Sequence, residues 1–318
     1  MLNSFWEGLG NKLAERWTVL LPAIAFWAGG LVAWFRSHGG VSRLEQFEHT
    51  LAGRPVVILV AVAAAVVLPV VLSAAIVRAV TLPVLRLLEG YWPRWLVPLR
   101  RRLIERQARA LGTAERRFGE LAAKLDADTA SPEERGEYGA LDRQLRRVPS
   151  EPDPSMPQRR MPTRLGNTLR AAETWPVDKY GLDPVKCWPR LWLLLPEAVR
   201  QELVDARASL DAAGSAVLWG VLFVGWTVWV WWAAPVGLLT AWAAYRQAVR
   251  NAEVYSDLVE SAFDLNRLAL YQALRWPLPH NPAEEHQAGR ALTDYLWRGS
   301  DKPSPEFTGP ENGTPDIK

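Results

Sequence analysis

Cysteine is almost missing from this sequence. The 318 residues include one, Cys187, so no internal disulfide can close and no thiolate cluster can hold a metal within one chain. Beside Trp188 it reads as a small buried hydrophobe. Histidine is scarce as well: His38, His49, His280 and His286 share no metal-ligand spacing. There is no phosphate loop, dinucleotide fingerprint, nucleophile elbow or zinc-binding histidine pair. Glu133 and Glu134 suit the charged start of a helix better than an acid–base pair. The expectation is therefore a non-enzymatic protein with no metal and no cofactor. Lysine is sparse too, 6 residues against 31 arginines; with abundant alanine, glycine, proline and tryptophan, this suggests a high-GC bacterial genome.

Charge is absent over long stretches, and these place the chain in a membrane. The first runs from Trp17 to Phe35, nineteen uncharged residues or about 28 Å of helix. Lys12 and Arg16 precede it as they would a signal peptide. The run exceeds a usual signal core and no clear small-residue cleavage site follows, so it reads as an uncleaved first span (17–35) between a cytoplasmic start (1–16) and an extracytoplasmic loop (36–54). The second span covers 55–77, with Pro69 as an expected kink and small residues at Ala61, Ala65, Pro69 and Ser73 that would let another helix approach. Its valines show no period-2 alternation, which disfavours a strand. Arg78, Arg86, Arg94 and Arg100 to Arg102 follow, interleaved with Tyr91, Trp92 and Trp95. Such a basic flank belongs on the cytoplasmic side, and 78–98 reads as an interfacial segment.

Seventeen tryptophans are present, and six lie in VLWGVLFVGWTVWVWWAAPVGLLTAWAAY, Val217 to Tyr245. Residues 216–233 give a third span, with Trp226, Trp229, Trp231 and Trp232 crowded where an outer interface would be. Pro235 and Gly237 suit a tight turn. Residues 235–254 then give a fourth span whose inner end is polar, with Arg246 and Arg250 reaching to the interface. A single crossing would instead place these arginines and the carboxy-terminal third outside. The hairpin reading gives four spans with both termini cytoplasmic, in a bacterial plasma membrane.

Between the spans, Arg78 to Ser215 holds 24 basic and 19 acidic residues, a net charge of +5. Within it, 99–148 reads as a helical hairpin. Leu111, Ala114, Phe118, Leu121 and Leu125 alternate spacings of three and four, as do Tyr138, Leu141, Leu145 and Val148. Ser131, Pro132 and Glu134 start its second arm. The seam suits intrachain packing, a protein partner or homo-oligomer formation. Residues 149–163 form a proline-rich linker. Arg159, Arg160 and Arg164 lack interleaved aromatics, which disfavours nucleic acid; anionic inner-leaflet phospholipid is the partner expected for this positive charge. Residues 164–215 read as helices leading into the third span, with the long last one starting near Pro196 and continuing unbroken. Residues 255–299 form carboxy-terminal helices, the last opened by Asn281, Pro282 and Glu284. Asp264, Arg267, Asp257 and Glu260 fall on a solvated helix face. Residues 300–318 make a disordered tail whose Asn312 sequon reads as chance.

The elements RLGN (Arg164 to Asn167), YGLD (Tyr180 to Asp183), WPRL (Trp188 to Leu191) and YLWRG (Tyr295 to Gly299) are less generic. In them the chain resembles a group of uncharacterised bacterial, largely actinobacterial, multi-pass membrane proteins, over roughly Arg164 to Gly299. The resemblance implies a similar layout and no catalytic residues. Arg164, Asn167, Tyr180, Asp183, Trp188 and Arg190 become candidates for partner binding or packing. The expected architecture is all-α: a four-span helical integral membrane protein with a cytoplasmic helical module that senses or binds a partner. The alternative is an oligomeric channel or membrane-permeabilising effector. No span carries a charge near its centre, which counts against ion-coupled transport.

Overall fold

A computed structural model describes residues 2–37, 55–149 and 159–308, with side chains from residue 20 onward. Among these residues the protein is all-helical, without strands. The helices are α1 (Leu2–Ser37), α2 (Val56–Glu89), α3 (Val97–Asp126), α4 (Pro132–Arg146), α5 (Arg164–Tyr180), α6 (Pro184–Leu194), α7 (Glu197–Phe223), α8 (Ala233–Ala273) and α9 (Pro282–Arg298). Short 3-10 turns at Arg94–Leu96 and Val224–Val228 precede α3 and follow α7. Arg36 and Ser37 of the expected loop are the end of α1; residues 38–54 and most of the linker and tail, including the Asn312 sequon, lie outside the described residues.

The chain forms two compact units. The first comprises Met1–Leu85 and Asp211–Ala248. Stretches within α1, α2 and α7 are long and apolar enough to cross a membrane, and in α2 no residue of that stretch is buried. α8 does not reach this measure, because Arg246, Gln247, Arg250 and Asn251 dilute its apolar half. α7 takes the central position through glycines. A methyl added to Gly29 would meet the Phe223 ring, one at Gly30 the Trp226 ring, and one at Gly214 the Leu85 side chain. A methyl at Gly220 would lie 2.6 Å from the Ala241 nitrogen, and one at Gly237 would lie 2.7 Å from the Gly220 oxygen. Small residues at such crossings let helix backbones approach, which is how apolar helices associate without a hydrophobic drive between them. Ala23, Ala74, Val77 and Trp219 fill the space between α1, α2 and α7. Ser73, the last of the small-residue row, accepts a 3.1 Å hydrogen bond from the Trp27 indole.

Two boundaries differ from the sequence reading. The reversal between α7 and α8 is made by Trp229–Trp232, not at Pro235 and Gly237. Pro235 sits in the first turn of α8, where a missing N–H costs nothing, and Gly237 serves the helix crossing. Second, α2 runs on past Val77 to Glu89 through Pro83. The segment 78–98 is thus not one stretch of uniform structure: its first twelve residues extend the helix, and only the part after Gly90 turns away.

The second unit comprises Arg86–Leu210 and Val249–Lys318. Tyr180, Leu191, Leu203, Phe263, Tyr271 and Leu292 are among the buried residues of its core, contributed by α5 to α9. α7 is continuous from Leu203 in this core to Trp219 in the first unit, as its spacing predicts. α3 and α4 fold back on each other. Phe118 stacks on Tyr138 at 4.5 Å, while Arg117 pairs with Glu137 at 2.8 Å and Lys124 with Glu134 at 2.5 Å. The capping box at Ser131 and Glu134 is present. No residue of α4 is fully buried, and Gly112, Gly119, Gly136 and Gly139 have open space where a side chain would be.

Candidate functional site

α5 is held at both ends by the residues that stand out in the sequence. At its start, α2 has just ended at Gly90, whose φ of +106° is reached readily only by glycine and whose open α-carbon lies against Pro162. The α2 carbonyl of Glu89 stands at a helix end, where no carbonyl has an intrahelical partner. It accepts a hydrogen bond from the Thr163 hydroxyl at 3.0 Å, and Gly166 seats directly on it, since a methyl there would overlap the Glu89 oxygen. Thr163 also caps α5, accepting from the Gly166 N–H. Asn167 is buried and satisfied on both sides: its Oδ1 accepts from the Met161 N–H at 2.7 Å, and its Nδ2 donates to Gln107 Oε1 at 2.9 Å. Gln107 in turn donates to the Pro162 carbonyl at 2.7 Å. Leu165 is fully buried and Arg159, 4% exposed, pairs with Asp178 at 2.8 Å. RLGN is therefore a clamp between α5, α3 and the end of α2. Arg164, its first residue, points to solvent.

At the other end Gly181 closes α5 in the left-handed conformation. The Tyr180 hydroxyl donates to Asp264 Oδ1, and Lys179 reaches the same carboxylate at 3.2 Å. Arg267 lies over the Tyr180 ring, 4.3 Å from its centroid, donates to the Asp264 carbonyl, and pairs with Glu285 at 2.6 Å. Burial first, and the Asp264 carboxylate second, push the Tyr180 phenol above the usual tyrosine range. Asp264 and Arg267 thus form a half-buried latch between α5, α8 and α9, paired with neighbouring helices where a fully solvated face was expected. Their spacing of three is what a solvated helix pair also shows, so the sequence alone cannot separate the two. Asp257, with Glu260 one of the two remaining expected face residues, holds Arg147 in a two-pronged bond at 2.6 and 2.8 Å that ties the end of α4 to α8.

Asp183 caps α6 by accepting from the Val185 N–H at 2.9 Å, and its own N–H donates to Thr293 Oγ1 at 3.1 Å. Gly289 packs onto the Tyr180 carbonyl so closely that a methyl there would overlap it. Trp188 sits 5.6 Å from Phe263 in the core, while Arg190 is exposed and donates to the Lys186 carbonyl. Of the six candidates, Asn167, Tyr180, Asp183 and Trp188 pack the module; Arg164 and Arg190 face solvent. Gln107, Glu285 and Thr293 were missed by the sequence reading, and they carry no local signal because their partners are 18 to 110 residues away. Cys187 is buried beside Thr293, and burial pushes its thiol up to about 11. Tyr271 is fully buried with its hydroxyl unbonded. Among the described residues no His, Cys, Asp and Glu group is arranged to hold a metal ion.

The tryptophans divide likewise. Trp226 packs on Phe26 at 5.0 Å and Trp27 at 5.8 Å, and Trp229 stacks on Trp226 at 5.0 Å. Trp232 meets Phe223 at 6.3 Å. Trp231 stands 79% exposed. Phe26, Leu222, Gly225, Trp226, Val228 and Trp229 border an open apolar concavity of about 230 Å³. On the other unit Trp92 donates to the Leu87 carbonyl at 2.8 Å and Trp95 is 76% exposed. No family model, no curated protein and no solved structure matches the chain.

Proposed function

We propose that the protein is a non-enzymatic integral membrane protein whose α3–α6 and α9 module, on the cytoplasmic side, binds a protein partner and is joined to four membrane-crossing helices. The observation that carries this reading is the use of the motif residues. RLGN and YGLD act as clamp and latch, fixing one long helix at both ends, so they make a rigid module and no reactive constellation. The close α7–α8 crossing at Gly220 and Gly237 supports a returning fourth span over 235–254, with both termini inside. The exposed basic and aromatic residues after α2 support a cytoplasmic placement of that end.

Cysteine accessibility in intact bacterial cells tests the layout. Cys187 is buried with a raised thiol, so the native chain gives little background. Ser37→Cys is expected to label from outside, while Ser150→Cys and Ser300→Cys stay protected until the membrane is opened. Labelling of Ser300→Cys from outside would overturn the fourth span. The competing reading, an oligomeric channel, rests on the uncovered apolar surface of α2. A monomer or dimer that passes no current in liposomes removes it.

A further inference from the structure

The turn that leaves α2 presents an unbalanced set of groups. From Tyr91 to Ile104 there are four arginines, Arg94 and Arg100 to Arg102, and no acidic residue. Among the described residues Arg94, Arg101 and Arg102 are exposed and form no ion pair. Among the described residues Arg100 reaches the Met161 sulfur, at 3.9 Å, and its Nε has no partner there. Three of these arginines lie near the first turn of α3, the end where the helix dipole is already positive. That turn has no acidic residue and no side-chain cap. A helix start ordinarily attracts acidic residues; this one concentrates positive charge. Apolar and aromatic groups share the surface, with Trp95 76%, Tyr91 52% and Leu99 46% exposed.

The elbow is also held in shape. Trp92 is tied back to the Leu87 carbonyl, Gly90 is braced by Pro162, and Gly166 and Thr163 seat on Glu89. A preordered surface that offers several unpaired guanidinium groups beside exposed indole and leucine fits a ligand with an anionic head and an apolar body.

Resting on the membrane reading above, we propose that this elbow, Tyr91 to Arg102, is a binding site for anionic phospholipid headgroups, with Arg94, Arg101 and Arg102 as the headgroup contacts and Trp95 as the apolar anchor. The clamp residues of α5 act as positioning residues for it.

The test uses the full chain in phosphatidylcholine vesicles with trace spin-labelled phosphatidylglycerol or phosphatidylcholine, read as the motionally restricted fraction. The native chain is expected to prefer phosphatidylglycerol several-fold at low salt. The triple variant R94Q/R101Q/R102Q should lose most of that several-fold preference, because each removed charge near the surface weakens the attraction to anionic lipid, while the triple lysine variant should keep it. R106Q/R109Q/R116Q, with the same charge removed farther along α3, should retain it. Equal association of both lipids with the native chain, or the same loss in both glutamine variants, would overturn the site and leave the four-span reading standing. If the native chain restricts neither lipid, the membrane reading itself fails.

Discussion

Replacing Gly166 by alanine tests the clamp most directly. On helix propensity alone the change should stabilise, by up to the roughly 1 kcal/mol that separates alanine from glycine within a helix. Here the new methyl would overlap the Glu89 oxygen, lie 2.8 Å from the carbonyl carbon and 2.9 Å from the Met161 Cβ. The obstacle is backbone at the end of a helix, which no rotamer change relieves. Relief requires α5 to lift away, with loss of the Thr163 to Glu89 bond and strain on the Asn167 to Met161 bond. Overpacking costs about 1–3 kcal/mol, and an obstacle made of helix-end backbone puts this case at the upper end, leaving a net loss of about 2 kcal/mol. For a unit of this size that corresponds to a melting temperature lower by roughly 4–8 °C. Gly119→Ala in α3 is the internal control, since nothing lies within 4 Å of its position; it should gain up to about 1 kcal/mol, or roughly 2–4 °C. Thermal unfolding of both variants in the same detergent, followed by circular dichroism, reads the difference. Shifts of the same sign would refute the clamp.

Other consequences follow from the same geometry. Asn167→Ala leaves the Met161 N–H and the Gln107 oxygen without their partner, so the module should lose about 2 kcal/mol, seen as a lower melting temperature in the same scan. Gly220→Leu forces α7 and α8 apart where an added carbon already meets Ala241; faster trypsin cleavage of the detergent-solubilised chain between Trp229 and Arg250 is the expected sign, and an unchanged digest would count against the close crossing. Tyr180 and Tyr271 both have raised phenols, chiefly through burial. A raised folded value gives stability that is complete below the unfolded tyrosine value of about 10 and is lost as pH rises through the folded values. The melting temperature should therefore drop as pH rises above about 10, and less steeply in Tyr180→Phe; equal slopes would show that Tyr180 is not the group responsible. Cys187 should react with a thiol reagent at pH 8 only after denaturation, and prompt reaction of the native chain would contradict its burial.

Local rules carried the sequence reading well for single elements. Ser131 with Glu134, Asp183 with Pro184 and Asn281 with Pro282 open α4, α6 and α9 as their capping chemistry predicts. These signals lie within four residues of the helix they start, so they survive without tertiary information. The continuity of α7 was also legible, because Val199, Leu203, Ala206 and Leu210 keep one face apolar. The reversal at Trp229–Trp232 was misplaced because proline and glycine were read as turn formers, whereas Pro235 begins a helix and Gly237 admits a neighbouring backbone. The extension of α2 to Glu89 was missed for a similar reason: Arg78 and Pro83 look like a stop, yet the helix runs through both. The clamp and latch were visible only as unusual residue clusters. Their meaning depends on Gln107, Asp264 and Glu285, whose distance along the chain removes them from any periodicity.

The α3–α4 hairpin differs from the rest of the second unit in how often it should open. Four helix glycines without neighbours, a seam that is only half covered, and surface ion pairs worth at most about 1 kcal/mol each give it little local stability. Regions of that kind exchange amide hydrogens through small openings long before the core unfolds. The bond from Arg147 to Asp257 then acts as the tether that limits how far an opened arm travels. A partner that grips the hairpin would meet a mixture of closed and frayed arms, and its affinity would include the ordering it imposes. Recognition there would register as slowed hydrogen exchange in α4 even if the average structure hardly moved.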